Sequence, residues 1–215
     1  MIYKACLFDL DGVLVDTAIY HFQAWKNLGK KFNYELTTEQ NEQLKGVSRV
    51  ESLNKILDWA NYSATQEEKS NWLIEKNEEY LRLISNMNRS EILPGVEEFL
   101  NQIKNQGFKI ALGSASKNAE IILDKTGLMP WFDLIIDGNT VSKSKPDPEV
   151  FLKGAEGLAM KPSECIVFED AQAGVEAAKA GNMKAIGIGD RETLYLADKV
   201  IPNFIGIKAN ELLLF

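Results

Sequence analysis

An apolar run that ends in two aspartates and a glycine stands near the start of the chain, where residues 4–12 read KACLFDLDG. Residues two apart on an extended strand point the same way, so Asp9 and Asp11 are predicted to face one site. Two carboxylates held that close repel each other unless a cation or a shared proton relieves the repulsion. The pair therefore suggests chemistry at the end of a buried strand.

Two chemical roles fit these aspartates. Asp9 is a candidate nucleophile that attacks phosphorus and becomes an aspartyl-phosphate, and Asp11 is a candidate general acid and base. A hard divalent cation, expected to be Mg²⁺, would bind the carboxylate oxygens and the transferring phosphoryl group. The alternative is a solvated strand end followed by an Asp-Gly turn, which is common for so short a motif.

The chain has 215 residues, a hydrophobic fraction of 45%, a charged fraction of 26% and a net charge of −7. These values are typical of a globular protein with one sizeable domain, or with a core that carries an insertion. The negative charge argues against nonspecific binding of nucleic acid, although local lysines and arginines can still hold a phosphorylated small molecule.

Two cysteines, Cys6 and Cys165, lie in apolar runs and are expected to be buried free thiols rather than a disulfide. No segment reaches the roughly 18 consecutive apolar residues of a membrane span. The N-terminus has no basic region followed by a long apolar one. We therefore expect a cytoplasmic protein that makes no membrane contact. We also expect a monomer.

Short apolar runs are predicted to be strands at residues 3–8, 109–113, 134–137, 165–168, 185–188 and 199–201. Between most of these runs the residues follow helical patterns, and Gly127 and Gly181 are expected to end two of the helices. Strands that alternate with helices indicate a parallel sheet with helices on both faces. The sequence therefore predicts an α/β fold.

One block departs from this alternation. From about residue 17 to residue 88 no strand is apparent, and the spacing of Leu53, Ile56 and Leu57 is typical of an amphipathic helix. We expect residues 17–88 to form a helical cap domain, inserted into a core formed by residues 1–16 and 89–215.

Polar side chains follow several of the predicted strands, where ligands bind in open parallel sheets. Ser114 is interpreted as a phosphate ligand beside the Ala115 backbone N–H, which would open a helix, or as the N-cap of that helix. Lys145 either neutralises charge during phosphoryl transfer or is a solvated loop lysine. Asp170 either binds a metal ion or caps a helix.

The chain resembles the haloacid dehalogenase-like superfamily, which begins with an apolar strand and DxDG. Three further motifs of that superfamily occur here in the same order, GSAS at 113–116, KSKPDP at 143–148 and FEDAQAG at 168–174. Within the superfamily the chain is similar to the β-phosphoglucomutases. That similarity is carried by YHFQAW at 20–25, QLKGVSR at 43–49 and SASKN at 114–118. The resemblance covers essentially the whole chain.

The resemblance implies a Rossmann-like parallel-sheet core with an inserted α-helical cap. It also implies a phosphomutase, of the isomerase class, that interconverts β-D-glucose 1-phosphate and β-D-glucose 6-phosphate. Asp9 would carry the aspartyl-phosphate, one Mg²⁺ would occupy the site, and β-glucose 1,6-bisphosphate would be intermediate and primer. A magnesium-dependent sugar-phosphate phosphatase of the same fold is one alternative, and a noncatalytic binding protein is another.

The resemblance also assigns roles by position. The catalytic residues would be Asp9, Asp11, Ser114 and Lys145, and the metal ligands Asp9, Asp11 through its backbone carbonyl, Glu169 and Asp170. The residues that bind the small phosphorylated sugar would be Trp25, Lys45, Gly46, Val47, Arg49, Ser52, Lys76, Ser114, Ala115, Ser116, Lys117, Asn118 and Lys145. Arg49 would hold the distal phosphate, and Ser48 would cap its helix. Thr17 and His21 would be hinge or accessory residues, with His21 orienting Asp11 or sensing closure.

Overall fold

The computed structural model describes residues 3–214. Within them, one six-stranded parallel sheet consists of β1 Ala5–Phe8, β2 Lys109–Gly113, β3 Leu134–Ile136, β4 Cys165–Glu169, β5 Lys184–Ile188 and β6 Lys199–Ile201. The strand order is β3-β2-β1-β4-β5-β6, so the strand that leads to Asp9 lies near the middle. Short apolar runs form these strands because both faces of a parallel sheet are covered.

The α-helices of residues 3–214 are α1 Ala18–Gly29, α2 Thr38–Glu42, α3 Arg49–Trp59, α4 Gln66–Leu83, α5 Val96–Asn105, α6 Ala119–Thr126, α7 Glu149–Gly157, α8 Gln172–Ala180 and α9 Ala209–Leu212. Gly127 ends α6 in the left-handed conformation that glycine tolerates. None of these helices is long and apolar enough to cross a membrane.

Alternate residues of β1 face opposite sides of the sheet. Cys6 and Phe8 pack with helices α5, α6 and α9, whereas Ala5 and Leu7 pack with α7 and α8. Helices therefore cover both faces, and the predicted α/β fold is confirmed. Cys165 and Cys6 are buried free thiols, as expected.

Four predicted strand boundaries are wrong by one or two residues, and two of these errors are strands longer than predicted, since β4 extends to Glu169 and β5 begins at Lys184. The first strand begins at Ala5 rather than at residue 3, although the Lys4 backbone still bonds to Glu164 on one side and Lys109 on the other. The third strand ends at Ile136, because the backbone N–H of Asp137 donates to the Thr140 hydroxyl and turns the chain away.

Helices α1 to α4 all lie between β1 and β2, and residues 17–88 contain no strand. Helices α1, α3 and α4 share a separate apolar cluster that includes Trp25, Leu53, Ile56 and Trp72. Ser48 caps α3, since its hydroxyl accepts from the backbone N–H of Glu51 at 3.3 Å, which confirms that prediction.

The two chain connections to these helices run side by side. Val15, on the way out of the sheet, pairs with Ile92, on the way back, in an antiparallel bridge. Beside it, the backbone N–H of Leu93 donates to the carbonyl of Leu14 at 2.9 Å. Residues 17–88 are thus attached at one place, next to the carboxyl end of β1.

Candidate active site

A cavity of about 580 Å³ lies between the carboxyl ends of the strands and helices α1, α3 and α4. Its size is typical of a small-molecule site. Most of the sequence-predicted site residues line it: Asp9, Asp11, His21, Trp25, Lys45, Gly46, Val47, Arg49, Ser52, Lys76, Ser114, Ala115, Ser116, Lys117, Lys145 and Asp170. Thr17, Asn118 and Glu169 are buried behind these lining residues.

Lys145 joins the two buried acids at the floor of the cavity. Its Nζ donates to Asp9 Oδ1 at 2.6 Å and to Glu169 Oε2 at 2.8 Å. Burial disfavours the cation, but the two carboxylates outweigh burial and hold the pKa of Lys145 well above its ordinary value. Lys145 is therefore a fixed positive charge beside the candidate nucleophile, and it is not a solvated loop lysine.

Three carboxylates gather at this floor. Asp9, Glu169 and Asp170 each offer an oxygen, and these oxygens all lie within 4.8 Å of one another. Burial, together with the charge of Asp9, raises the pKa of Asp170 above its ordinary value. A cluster of hard oxygen donors that repel one another fits Mg²⁺, although Glu169 already accepts from Lys145 and from the backbone N–H of Ala171. The side chain of Asp11 lies outside this cluster.

Asp170 does not cap helix α8, because Ala171 is the N-cap residue there and makes no side-chain bond. Its carboxylate instead packs against Gly12, where a Cβ would overlap the carboxylate oxygens. Gly12 also has a φ of +77°, which an L side chain rarely adopts. The close approach and the turn both require glycine at this position.

Asp11 has the electrostatic character of a general acid. Burial, with the charges of Asp9 and Asp170, raises the pKa of Asp11 to about 8. Its Oδ1 is buried and has no hydrogen-bond partner among residues 3–214. The carboxyl can therefore hold a proton near neutral pH and release it to a leaving oxygen.

The loop after β2 differs from the prediction. Helix α6 begins at Ala119, so the expectations that Ala115 opens a helix and that Ser114 is its N-cap are wrong. The Ser114 hydroxyl accepts from the backbone N–H of Ser116 at 3.1 Å, and the Ser116 hydroxyl accepts from that of Asn118 at 3.2 Å. These local bonds compete with helix formation and keep residues 114–118 in a turn at the cavity.

Helix α4 and the core meet through two amides. The side-chain N–H of Asn118 donates to Asn77 Oδ1 at 2.9 Å, so this amide is directed at the helix rather than into the cavity. On another side of the cavity, Lys45 follows helix α2, and its Nζ lies 3.6 Å from Asp170 Oδ2 and 2.8 Å from Glu42. The contact of Asn118 with Asn77 and that of Lys45 with Asp170 hold residues 17–88 against the sheet.

Glu51 makes a further contact between helix α3 and the core. Its Oε2 accepts from the Ser48 hydroxyl at 2.9 Å and also from the hydroxyl of Ser144, the residue before Lys145. The bond from Ser144 is the largest cause of the lowered pKa of Glu51. The N-terminus of α3, which begins at Arg49, is thereby fixed to the loop that carries Lys145.

Lys76 is buried in the wall of the cavity. Its Nζ lies 2.7 Å from His21 Nδ1 and 4.6 Å from the centre of the Trp25 ring. Burial and the nearby Arg49 lower the pKa of Lys76 to about 7. The hydrogen bond of His21 thus goes to Lys76 rather than to Asp11.

The sequence reasoning missed several residues of this site. Glu51, Asn77 and Ser144 join the cap helices to the core, and Tyr80 stacks on His21 with ring centres 4.1 Å apart. One feature of the sequence indicated that α4 contributes to the site. Lys76 is a charged residue in line with Trp72 and Tyr80 on the buried side of this helix.

Comparisons with known proteins show the family to which the chain belongs. A family profile described as haloacid dehalogenase-like hydrolase matches residues 6–188. The chain is 42% identical to a β-phosphoglucomutase of Bacillus subtilis, over 92% of this chain and 88% of that protein. It is 31% identical to a phosphorylated carbohydrates phosphatase of Thermotoga maritima, over 85% of this chain and 83% of that protein. A crystal structure of β-phosphoglucomutase from Clostridium difficile superposes with a TM-score of 0.94 at 42% identity, covering 98% and 95% of the two chains.

Proposed function

Because the chain belongs to the haloacid dehalogenase-like hydrolase family, we propose that it is a β-phosphoglucomutase, an isomerase that interconverts β-D-glucose 1-phosphate and β-D-glucose 6-phosphate. The observation that carries this proposal is a single cavity that combines Asp9 and Lys145 with Arg49 of the cap helices. A sugar bisphosphate needs a positively charged side chain at each end of the cavity, because one phosphate must be held while the other reacts. Lys145 would supply the charge at one end and Arg49 at the other.

The reaction begins with Asp9 phosphorylated. The C6 hydroxyl oxygen of β-glucose 1-phosphate attacks phosphorus, its proton passes to Asp11, and the bond from phosphorus to Asp9 breaks. The resulting β-glucose 1,6-bisphosphate turns over in the cavity. Asp9 then attacks the C1 phosphate while Asp11 returns its proton to the leaving sugar oxygen, which yields glucose 6-phosphate and phosphorylated Asp9.

The floor residues stabilise the charge of this transfer. Lys145 is already placed at 2.6 Å from Asp9, and Ser114 would donate its hydroxyl to a phosphoryl oxygen. One Mg²⁺, held by Asp9, Glu169, Asp170 and the backbone carbonyl of Asp11, would neutralise the phosphoryl oxygens. The β-glucose 1,6-bisphosphate would prime the enzyme by phosphorylating Asp9.

The other end of the cavity would hold the second phosphate. We assign this grip to Arg49, Ser116 and Lys117, with Asn118 fixing the loop through Asn77. The sugar would lie between the two ends, surrounded by Trp25, Lys45, Gly46, Val47, Ser52 and Lys76.

The helical segment is proposed to act as a moving cap. Residues 17–88 would close over the sugar by turning about the paired connections at Val15 and Ile92, which excludes water from the aspartyl-phosphate. The enzyme is further proposed to act as a monomer. The buried thiols of Cys6 and Cys165 fit a reducing cytoplasm.

One assay tests the proposal. Pure β-glucose 1-phosphate is given to the enzyme with Mg²⁺ and a trace of the 1,6-bisphosphate, and the α-anomer is run in parallel. Formation of glucose 6-phosphate from the β-anomer alone is the expected result. Steady release of inorganic phosphate without isomerisation would show a sugar-phosphate phosphatase instead.

Arg49→Ala separates the mutase from a phosphatase more sharply. The bisphosphate must bind in both orientations, so loss of the distal grip should lower bisphosphate-dependent turnover by at least about 100-fold. Arg82→Ala is the matched control, because Arg82 is an exposed arginine of α4 that pairs with Glu79 away from the cavity. Unchanged turnover in Arg49→Ala would remove Arg49 from the site.

A further inference from the structure

Residues 137–140, which follow strand β3 and are called the β3 loop, contact the turn that carries Ser116 and Lys117. The backbone N–H of Gly138 donates to the carbonyl of Ser116 at 3.1 Å. The side-chain N–H of Asn139 donates to the carbonyl of Lys117 at 3.0 Å. The β3 loop therefore bonds to the backbone of both turn residues to which the grip on the second phosphate is assigned.

Gly138 also leaves room for this turn, and it lines the cavity. A Cβ at position 138 would lie 2.3 Å from the carbonyl oxygen of Ala115 and 3.1 Å from Cγ of Lys117. The first distance is too short for a carbon and an oxygen that are not bonded, so any side chain here would displace the turn. Glycine thus permits the close approach of the two backbones and of the Lys117 stem.

The β3 loop is itself held in place by a buried acid. Asp137 is 6% exposed, and its two carboxylate oxygens accept from the backbone N–H of Asn139 at 2.9 Å and from its side-chain N–H at 2.8 Å. At the end of the loop, Lys153 of α7 donates to the carbonyl of Thr140 at 2.6 Å. The amide of Asn139 is therefore fixed in the orientation that reaches Lys117.

The turn has one support on the cap side and one on the side of the sheet. On the cap side, the Asn118 amide donates to Asn77 of α4. On the sheet side, the backbone N–H of Ser114 donates to the carbonyl of Ile136 at 3.0 Å, which continues the pairing of β2 with β3. The bonds from the β3 loop extend this sheet-side support along the turn.

We propose that Gly138 and Asn139 are positioning residues for the grip on the second phosphate. They hold Ser116 and Lys117 at the distance from Asp9 that a sugar bisphosphate requires. This inference rests on the proposed function, since the residues that it supports are those assigned to that phosphate. The held phosphate does not react, so the support acts equally on the bound substrate and on the transition state. Its loss should raise KM and leave kcat within about threefold.

The test measures the Kd of β-glucose 1,6-bisphosphate by calorimetry in an Asp9→Asn background, where the bisphosphate cannot react. Asn139→Ala removes one hydrogen bond to the turn and should raise this Kd by about three- to tenfold. Gly138→Ala displaces the turn and should raise it by at least about tenfold. With Asp9 intact, phosphorylation by acetyl phosphate, which has no second phosphate, should stay within about twofold of wild type in Asn139→Ala.

Gln102→Ala and Gly29→Ala are the matched controls. The Gln102 amide donates to the carbonyl of Ile207 at 3.0 Å and accepts from the backbone N–H of Ala209 at 2.9 Å, away from the cavity. A Cβ on Gly29 would lie 2.6 Å from the carbonyl oxygen of Tyr34. Both controls should lower the melting temperature and leave the Kd within about twofold.

The Kd decides the positioning role, and isomerisation by the wild type decides the proposed function. A Kd that stays within about twofold in Asn139→Ala, or that rises equally in the controls, would overturn the role of the β3 loop while the mutase stands. Asn139→Ala introduces no overlap, so it decides the question if Gly138→Ala does not fold. If the wild type only hydrolyses sugar phosphates, the Kd still applies, and a bisphosphate bound no more tightly than glucose 6-phosphate would show that the second grip does not exist.

Discussion

The carboxylate of Asp9 is held by one buried cation, because Lys145 Nζ donates to its Oδ1 at 2.6 Å. In Asp9→Asn the amide oxygen can still accept this bond, so the fold should persist while the nucleophile is lost. We expect turnover to fall by at least about 1,000-fold, with no acyl-phosphate detectable by mass spectrometry. Asp16→Asn, at an exposed position close by, should keep wild-type turnover. An Asp9→Asn enzyme with normal turnover would falsify the covalent mechanism.

The carboxylates at the floor predict a pH-dependent affinity for Mg²⁺. Burial, together with the charge of Asp9, raises the pKa of Asp170 above its ordinary value, so the free enzyme holds a proton there that an unfolded chain has already lost. Mg²⁺ must displace this proton, and its binding should therefore tighten as the pH rises from about 6 to about 8.

Calorimetric titration of the free enzyme with Mg²⁺ checks this dependence. Proton release is measured by repeating the titration in buffers of different ionisation enthalpy, and Asp170→Asn should lose most of the affinity at both pH values. Equal affinity at the two pH values, without proton release, would contradict the raised pKa of Asp170.

Some residues of the site could be predicted from the sequence, and others could not. Asp9, Lys145 and Asp170 follow predicted strands or lie in recognisable motifs, and the parallel sheet brings them together at one edge. Tyr80 could not be found in this way. It recurs with Trp72 at the spacing of an ordinary buried helix stripe, and only its stacking on His21 in the folded protein distinguishes it.

Among the elements, strands were predicted better than loops. An apolar run such as residues 165–168 has no polar side for solvent, so it must be covered on both faces of the sheet. Its composition alone therefore indicates a buried strand. The turn at 114–118 depends on hydroxyls that bond to backbone N–H groups two residues ahead. The same serines could equally have capped a helix, and the sequence did not distinguish the two arrangements.

Helix α3 should close less firmly over the cavity when its contact with the core is removed. Glu51→Ala deletes the acceptor of the Ser144 hydroxyl while leaving the Ser48 cap in place. We expect isomerisation to slow by about three- to tenfold and a larger share of the aspartyl-phosphate to be lost to water, because closure excludes water. The ratio of glucose 6-phosphate to inorganic phosphate measures this partition.

Glu68→Ala provides the matched control for that variant. Glu68 accepts from the Thr65 hydroxyl at the start of α4, as Glu51 accepts from the Ser48 hydroxyl, but the other hydrogen bond of its carboxylate comes from the Thr65 backbone N–H rather than from the core. Its loss should affect stability similarly and leave the product ratio unchanged. If both variants shift the ratio equally, the bond between Glu51 and Ser144 is not the cause.

For the whole molecule, a ligand that spans the core and the cap should stabilise both together. At a ligand concentration about 100 times the Kd, binding adds about 2.7 kcal/mol to the free energy of unfolding. For a chain of this size that corresponds to a rise in melting temperature of about 5 to 10 °C. Differential scanning calorimetry with Mg²⁺ and glucose 6-phosphate should show the whole transition moving. A shift confined to part of the transition would mean that the ligand contacts only one unit.

The bridge between Val15 and Ile92 has a consequence for the evolution of substrate specificity. The helices of residues 17–88 that line the cavity are attached to the sheet at one place, so evolution can change this one continuous segment and, under the proposed function, select a new phosphoryl acceptor. The groups that make the aspartyl-phosphate come from other parts of the chain and need not change with it. Substrate choice and bond-making chemistry are thereby free to evolve at separate rates.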